Sequence, residues 1–148
     1  MHNEGALTIR PATPADQQAI RRMVHEAGLD PTHLHWRGFV VAEQAGEIVG
    51  IGQVRPYPRC RELGSLVVRE DRRGEGIARR IIEHLLARET GEVYLECAVR
   101  LVPFYRRFGF EPIPWQHAPL PLKLKAGLGS TIGRLFKVRL AVMRRSGG

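Results

Sequence analysis

The chain has 148 residues, of which 43% are apolar and 26% charged, a composition typical of one soluble globular domain. It contains no run of 18 apolar residues and no basic, apolar leader, so we expect no transmembrane segment and a cytoplasmic location. The two cysteines, Cys60 and Cys97, exclude a disulfide framework and lack the spacing of a metal site.

The net charge of +8 is concentrated near the C-terminus. From Ala118 onward there are seven basic residues and no acidic one, whereas the preceding residues hold 16 basic and 15 acidic side chains. Such a segment attracts phosphates, nucleic acid or an anionic lipid surface, or it is only a solvated surface. The sequence leaves these alternatives open.

The first half of the chain is predicted to form a strand, then a helix, and then a pair of strands. "ALTIRPA" is typical of a strand, and Thr13 and Pro14 are typical of a helix start. Gly28 is expected to end that helix, and "DPTHLHW" to form a turn or a short second helix. "GFVVAEQ" and "EIVGIGQVRPY" are then predicted to form a hairpin through Ala45 and Gly46. The helix has an apolar face of Ala19, Ile20, Met23, Val24 and Ala27.

The second half predicts alternating strands and helices. "RELGSLVV" is expected to be a strand with strict alternation of its two faces, with Glu62, Gly64, Leu66 and Val68 on one face. A second helix follows, and we expect Gly91 to close it. Then come a strand "EVYLECAV", a short helix "LVPFYRRF" stopped by Gly109, and a strand "GFEPI". Residues 119–136 are predicted to form a helix, although their glycines disfavour it, and "KVRLAVMR" is predicted to form the last strand. The second helix has an apolar stripe of Ile77, Ala78, Ile81, Ile82, Leu85 and Leu86.

These elements predict an α/β protein of the α+β type. We expect a single domain over residues 1–148, with the basic segment 118–148 completing it. The sheet is mixed and mostly antiparallel, with six to seven strands flanked by about four helices.

The stretch "EDRRGEGIARRI", residues 70–81, places two glycines and several arginines at the start of the second helix. The first N–H groups of a helix have no partner within it, and its dipole favours negative charge there. Glycines before it let ligand oxygens approach the backbone closely. The pattern is that of a phosphate cradle, although glycine also serves turn geometry alone.

With its flanks, "SLVVREDRRGEGIARRIIEHLL" resembles the acetyl-CoA-binding signature of the GCN5-related N-acetyltransferase (GNAT) family. That signature is Arg or Gln, two residues, Gly, one residue, then Gly or Ala. A second family signature, an aromatic-Tyr pair followed by Gly-Phe, is matched further along the chain. The resemblance covers roughly residues 6–113. The matching residues are Arg73, Gly74, Glu75, Gly76, Ile77 and Ala78 in the first signature, and Phe104, Tyr105, Gly109 and Phe110 in the second.

The resemblance implies a site for acetyl-CoA as acyl donor. We expect no metal, because the cysteines and histidines lack the spacing of metal ligands. Backbone amides of residues 73–79 take the pyrophosphate, with charge-assisted contacts from Arg72, Arg73 and Arg79. The strand carrying Leu66, Val67 and Val68 splays from the next one and pairs with the pantetheine arm. One of its N–H groups polarises the thioester carbonyl.

The resemblance also implies direct attack of an amine on the thioester. Glu62 is the first candidate for the group that accepts the amine proton, and Glu96 is the second. The alternatives are that Glu62 is only an exposed strand residue and that Glu96 has a structural role. Tyr105 occupies the position from which family members protonate the departing thiolate, unless it is only a packed aromatic.

The sequence departs from the family pattern near this tyrosine, since Val99 and Val102 stand where the family usually has Asn and Ala. His25, His33 and His35 fall where the fold often covers the acceptor pocket, although scattered histidines are more often surface residues. Two tryptophans, Trp36 and Trp115, are candidates either for a pocket wall or for packing.

The sequence therefore predicts an enzyme that moves an acetyl group from acetyl-CoA to a primary amine. "ELGSLVV" resembles the acetyltransferase module of N-acetylglutamate synthases, which favours a small amino-acid-like acceptor, with a peptide amine as the other class. The alternatives are a non-catalytic acyl-CoA-binding module and a basic module for nucleic acid or a membrane surface. We expect no specific nucleic-acid partner, and the resemblance is compatible with a homodimer.

Overall fold

A computed structural model describes residues 5–119 and 139–147 of the chain. Within them lie seven strands and three α-helices, in the predicted order. The fourth helix, expected over 119–136, falls almost entirely outside the described residues. The strands are β1 (Thr8–Pro11), β2 (Phe39–Gln44), β3 (Glu47–Tyr57), β4 (Cys60–Val68), β5 (Val93–Ala98), β6 (Phe110–Ile113) and β7 (Leu140–Arg145), and the helices are α1 (Gln17–Glu26), α2 (Ile77–Leu86) and α3 (Val102–Arg106).

The strands form one mixed sheet in the order β1-β2-β3-β4-β5-β7-β6, which confirms the predicted fold class. The chain divides into two compact units. Unit 1 comprises Met1–Arg55 and Leu63–Arg88, and unit 2 comprises Pro56–Glu62 and Glu89–Gly148. The predicted splay of β4 from β5 concerns residues of both units and stays a prediction.

In unit 1, β1, β2 and β3 are antiparallel neighbours. The predicted hairpin between β2 and β3 is confirmed: Gln44 pairs with Glu47 across a two-residue turn. Ala45 and Gly46 have φ angles of 53° and 78°. Two successive positive φ angles give a turn whose twist matches that of the flanking strands.

Helix α1 begins where the sequence predicts. Pro14–Asp16 form a 3-10 turn that leads into α1, and the Thr13 N–H donates to the Asp16 carboxylate at 2.7 Å. Ile20 and Val24 are fully buried, and they pack in a core with Phe39 of β2 and other residues of the sheet. Gly28, with a φ of 66°, follows the helix as predicted.

Helix α2 packs closely on β3 at a glycine. A Cβ at Gly52 would lie 2.8 Å from Cγ2 of Ile81, a separation that real Cβ atoms essentially never show. Four isoleucine and leucine side chains besides Ile81 are buried along the predicted stripe of α2. The predicted end of this helix was wrong, because α2 ends at Leu86 with Ala87 as its C-cap, four residues before Gly91.

In unit 2, β7 lies between β5 and β6 and is antiparallel to both. The start of β4 pairs in parallel with β5, Glu62 opposite Tyr94. A small apolar cluster contains Cys60, Tyr94, Ala118 and Val142. Gly109, with a φ of 90°, separates α3 from β6 as predicted.

In the part of the chain described, no helix has the length and apolar character needed to span a membrane.

Candidate functional site

The turn before α2 leaves the start of the helix open. Gly74 and Gly76 have φ angles of 82° and 81°, and a Cβ at either position would meet no atom within 4 Å. Gly76 is the N-cap and offers no side-chain hydrogen bond to the helix. The N–H groups of the first turn are therefore left for solvent or a ligand, which is the arrangement that binds anions.

The arginines of this turn differ in their contacts. The Arg73 side chain is exposed, with its Nε 3.5 Å from the Val68 carbonyl oxygen. The exposed Arg79 guanidinium lies 3.8 Å from the Glu83 carboxylate, a separation typical of a weak surface pair. Arg72 is held more firmly, by hydrogen bonds of 3.0–3.1 Å to the carboxylate of Glu75.

Strand β4 departs from strict alternation at Ser65. This residue has a φ of 50°, in the left-handed region that a non-glycine residue rarely adopts within a strand. Val67 is buried, whereas Leu66 and Val68 are half-buried. The sequence predicted a regular strand here because the apolar pattern carries no sign of the irregularity.

A buried polar cluster surrounds Ser65, and the sequence reasoning missed it. The Ser65 hydroxyl accepts hydrogen bonds from Arg55 Nη2 at 2.7 Å and from Gln53 Nε2 at 3.1 Å. Arg55 is only 2% exposed, and its Nη1 lies 3.5 Å from a carboxylate oxygen of Asp30. The sequence does carry a signal, because "IGQVRPY" places Gln53 and Arg55 two residues apart in a predicted strand, and therefore on the same face.

In unit 2, Glu62 is buried at 2% exposure, so it is not an exposed strand residue. Its Oε1 accepts a hydrogen bond from the Tyr57 hydroxyl at 3.4 Å. The second candidate, Glu96, is half-buried on β5. Burial of a carboxylate is costly unless it is hydrogen-bonded, so the buried Glu62 on β4 depends on hydrogen bonds such as the one from Tyr57.

Tyr105 lies on α3 among aromatic rings. Its ring meets those of Phe104 and Phe110 edge to face, with centroids 5.1 and 6.2 Å away. Burial, with a smaller contribution from the nearby Cys97 thiol, raises the pKa of Tyr105 to about 12. The phenol is therefore protonated at neutral pH and able to donate a proton.

The predicted site residues are divided between the two units. The turn and residues 66–68 belong to unit 1, and Glu62, Glu96 and Tyr105 to unit 2. Of the other candidates, Trp36 is half-buried and Trp115 is 40% exposed. His25, His33 and His35 are exposed. Within residues 5–119 and 139–147, no group of three or more potential ligands is placed to hold a metal ion.

Comparison with protein-family models matches residues 35–112, more than half of the chain, to the acetyltransferase (GNAT) domain. The chain belongs to this family. Its membership confirms the resemblance of the two sequence signatures and supports transfer of an acetyl group from an acyl-CoA donor. A comparison with curated protein sequences finds no match.

Solved structures of GNAT proteins share the fold. N-acetylglutamate synthase from Neisseria gonorrhoeae, in complex with coenzyme A and N-acetyl-glutamate, matches with a TM-score of 0.75 at 17% identity. The match covers 99% of this chain and 36% of that one, so the chain spans about a third of the gonococcal enzyme.

Two further structures are closer to the chain in length. Rv2747 from Mycobacterium tuberculosis, in complex with CoA and a second ligand, has a TM-score of 0.74 at 19% identity, covering 94% of this chain and 98% of that one. An acetyltransferase of the GNAT family from Staphylococcus aureus Mu50 has a TM-score of 0.69 at 15% identity, with coverages of 95% and 99%. At these identities the likeness establishes the fold alone.

Proposed function

We propose that this GNAT protein transfers the acetyl group of acetyl-CoA to the primary amine of a small, carboxylate-bearing acceptor such as an amino acid. The main observation in favour of acetyl-CoA as the acyl donor is the open turn before α2. Its two left-handed glycines leave uncapped N–H groups for a pyrophosphate, and the exposed Arg73 adds a positive charge. These residues fit the phosphates of an acyl-CoA.

The catalytic roles are assigned to residues of unit 2. Glu62 accepts the proton that the attacking amine loses as its nitrogen bonds to the thioester carbon. Tyr105 donates a proton to the sulfur as the carbon–sulfur bond breaks. Burial raises the pKa of Tyr105 to about 12, so the phenol is protonated at neutral pH and has a proton to donate.

Arg55 supports a carboxylate-bearing acceptor. Its guanidinium is buried beside β4, the strand that the family resemblance assigns to the thioester, and a Cβ at Gly64 would lie 3.2 Å from its Cζ. In the structure this guanidinium contacts the Ser65 hydroxyl and, at 3.5 Å, the Asp30 carboxylate, so the acceptor carboxylate exchanges with Asp30 at Nη1 through charge-assisted hydrogen bonds. The presence of N-acetyl-glutamate in the gonococcal structure points to the same acceptor class.

The test of the function is a panel of amines assayed by thiol release from acetyl-CoA. Amino acids are expected to be acetylated, and amines of matched size without a carboxylate to react far more slowly. Arg55→Gln is expected to raise KM for the amino acid by roughly tenfold or more while leaving KM for acetyl-CoA unchanged. Equal rates with and without the carboxylate would contradict the acceptor class, and no turnover with any amine would contradict the enzyme.

A further inference from the structure

The open turn before α2 carries an acidic side chain as well as its arginines. Glu75 stands between Gly74 and Gly76, the two left-handed glycines, and its side chain is exposed. A carboxylate at this place repels the phosphates that the turn is proposed to bind, because like charges at short range raise each other's energy. The turn therefore binds an anion well only if the charge of Glu75 is offset.

Arg72 offsets this charge. Its Nε lies 3.1 Å from both carboxylate oxygens of Glu75, and its Nη2 donates to Oε1 of the same residue at 3.0 Å. The Arg72 side chain is only 19% exposed, and a partly buried ion pair is screened less by salt than an exposed one. Two of the three guanidinium nitrogens are thus engaged within the protein.

Gln44 connects Arg72 to the sheet. Its Oε1 accepts a hydrogen bond from Arg72 Nη2, and its Nε2 donates to the Gly5 carbonyl oxygen at 2.8 Å. A guanidinium only donates and a carbonyl only accepts, so these two partners fix the orientation of the Gln44 amide. Gln44 is the last residue of β2, where it pairs with Glu47 of β3. Arg72 is therefore tied to the end of the β2–β3 hairpin.

A second arginine holds the same segment to the same hairpin. The Arg69 N–H donates to the Val49 carbonyl oxygen of β3 at 2.8 Å, and Arg69 Nη1 lies 3.3 Å from a carboxylate oxygen of Glu47. Arg69 precedes the 3-10 turn Glu70–Arg72, and Arg72 is its last residue. The segment that leads into the glycine turn is thus held to the hairpin at both of its ends.

We propose that Arg72 is a positioning residue of the acetyl-CoA turn and not a ligand of the pyrophosphate. It neutralises Glu75 and, through Gln44, holds the turn against the β2–β3 hairpin. This role differs from the direct contact that the family resemblance implies for Arg72, and it leaves that contact to the exposed Arg73. The inference rests on the proposed function, since it needs acetyl-CoA bound at the turn.

The test is calorimetric titration of the full-length protein with acetyl-CoA, in a double-mutant cycle between Arg72 and Glu75. Arg72→Gln is expected to weaken binding by roughly fivefold or more, because the charge of Glu75 is then unopposed. In the Glu75→Gln background the same substitution should weaken binding by less than about twofold, since no carboxylate remains to be neutralised. A direct ligand of the pyrophosphate would lose the same factor in both backgrounds.

Arg73 provides the matched control for this cycle. Its Nε lies 3.5 Å from the Val68 carbonyl oxygen, so it is the neighbouring arginine with a different contact. Arg73→Gln should weaken binding by the same factor with Glu75 and with Gln at that position, because it removes a direct contact with the ligand.

Gln44→Met tests the connection to the hairpin. Methionine has nearly the same length but offers Arg72 no amide oxygen. The substitution should weaken acetyl-CoA binding by roughly threefold in the wild type, because Arg72 loses a hydrogen bond that holds it in place. It should cause no further loss in the Arg72→Gln protein, since Gln44 acts through Arg72. Melting temperatures establish that each variant is folded, and a merely structural role of Gln44 would not depend on Arg72.

Two results would overturn the proposal. One is an equal loss of affinity for Arg72→Gln in both Glu75 backgrounds, and the other is a folded Gln44→Met protein that binds acetyl-CoA as tightly as the wild type. The wild-type titration separates these results from a failure of the proposed function. Absence of acetyl-CoA binding in the wild type would contradict the proposed function and this inference with it.

Discussion

The hydroxyl of Tyr57 donates a hydrogen bond to the buried carboxylate of Glu62 at 3.4 Å. The two residues lie near the end of β3 and the start of β4, and Glu62 is 2% exposed. A buried carboxylate is retained where hydrogen bonds offset its lost hydration. The burial of Glu62 is what we expect of the proposed proton acceptor, and it excludes the alternative that Glu62 is an exposed strand residue.

Glu62→Gln is expected to lower kcat by roughly 100-fold, because the amide has nearly the same shape but cannot accept the amine proton. Steady-state kinetics at saturating acetyl-CoA measures this. The matched control is Glu96→Gln, the second candidate on the next strand along the chain, which should change kcat little. A larger loss in the Glu96 variant would assign the role to Glu96 instead.

Tyr105→Phe is expected to lower kcat by about 100-fold while leaving the affinity for acetyl-CoA unchanged, since it removes the proton donor and keeps the ring. With a pKa of about 12, Tyr105 should cause no loss of wild-type activity up to about pH 10. A pH–rate profile measures this, with Tyr94→Phe as the control for loss of a buried phenol in the same unit. Unchanged turnover in the Tyr105 variant would remove the acid role.

Asp16→Asn is expected to destabilise the fold by about 1–2 kcal/mol at neutral pH, because it weakens the contacts to Arg10 and to the Thr13 N–H. The hydrogen bond from Arg10 holds the pKa of Asp16 below its ordinary value. A depressed folded pKa stabilises the protein above the unfolded value of about 3.9, and this contribution is lost as pH falls through the folded pKa.

Denaturant unfolding of both proteins as a function of pH measures this difference. The difference in the free energy of unfolding between wild type and variant should become smaller in acid. The exposed Asp71, which pairs with Arg69, provides the control, and Asp71→Asn should change stability little. A difference in unfolding free energy that grew as the pH fell would contradict stabilisation by the ionised Asp16 carboxylate.

Gly52→Ala is expected to destabilise the protein by about 1–3 kcal/mol, because the new Cβ would lie 2.8 Å from Ile81 and force α2 from β3. Thermal unfolding measures the effect. Gly91→Ala adds the same atom in open space and should leave the melting temperature nearly unchanged. Equal effects of the two substitutions would show that close packing is not the cause.

Much of the fold could be predicted because the signals are local. The Ala45-Gly46 turn and the Thr13-Pro14 helix start each depend on residues close together in sequence. The end of α2 was predicted wrongly because Gly91 is a typical helix stop, whereas the helix ends with its apolar stripe, at Leu86. The positive φ of Ser65 was missed because its partner Arg55 lies ten residues away, on β3. Backbone irregularities fixed by distant side chains leave no periodic trace.

The glycine turn before α2 is proposed to bind the pyrophosphate of acetyl-CoA, and calorimetric titration with acetyl-CoA tests this most directly. We expect micromolar binding of acetyl-CoA and much weaker binding of free adenosine. Arg73→Glu should lower the affinity for acetyl-CoA by roughly tenfold or more, about 1.4 kcal/mol. The same charge reversal at the exposed Arg22 should leave the affinity unchanged. No binding at millimolar acetyl-CoA, or equal binding by the Arg73 variant, would contradict the proposed pyrophosphate cradle.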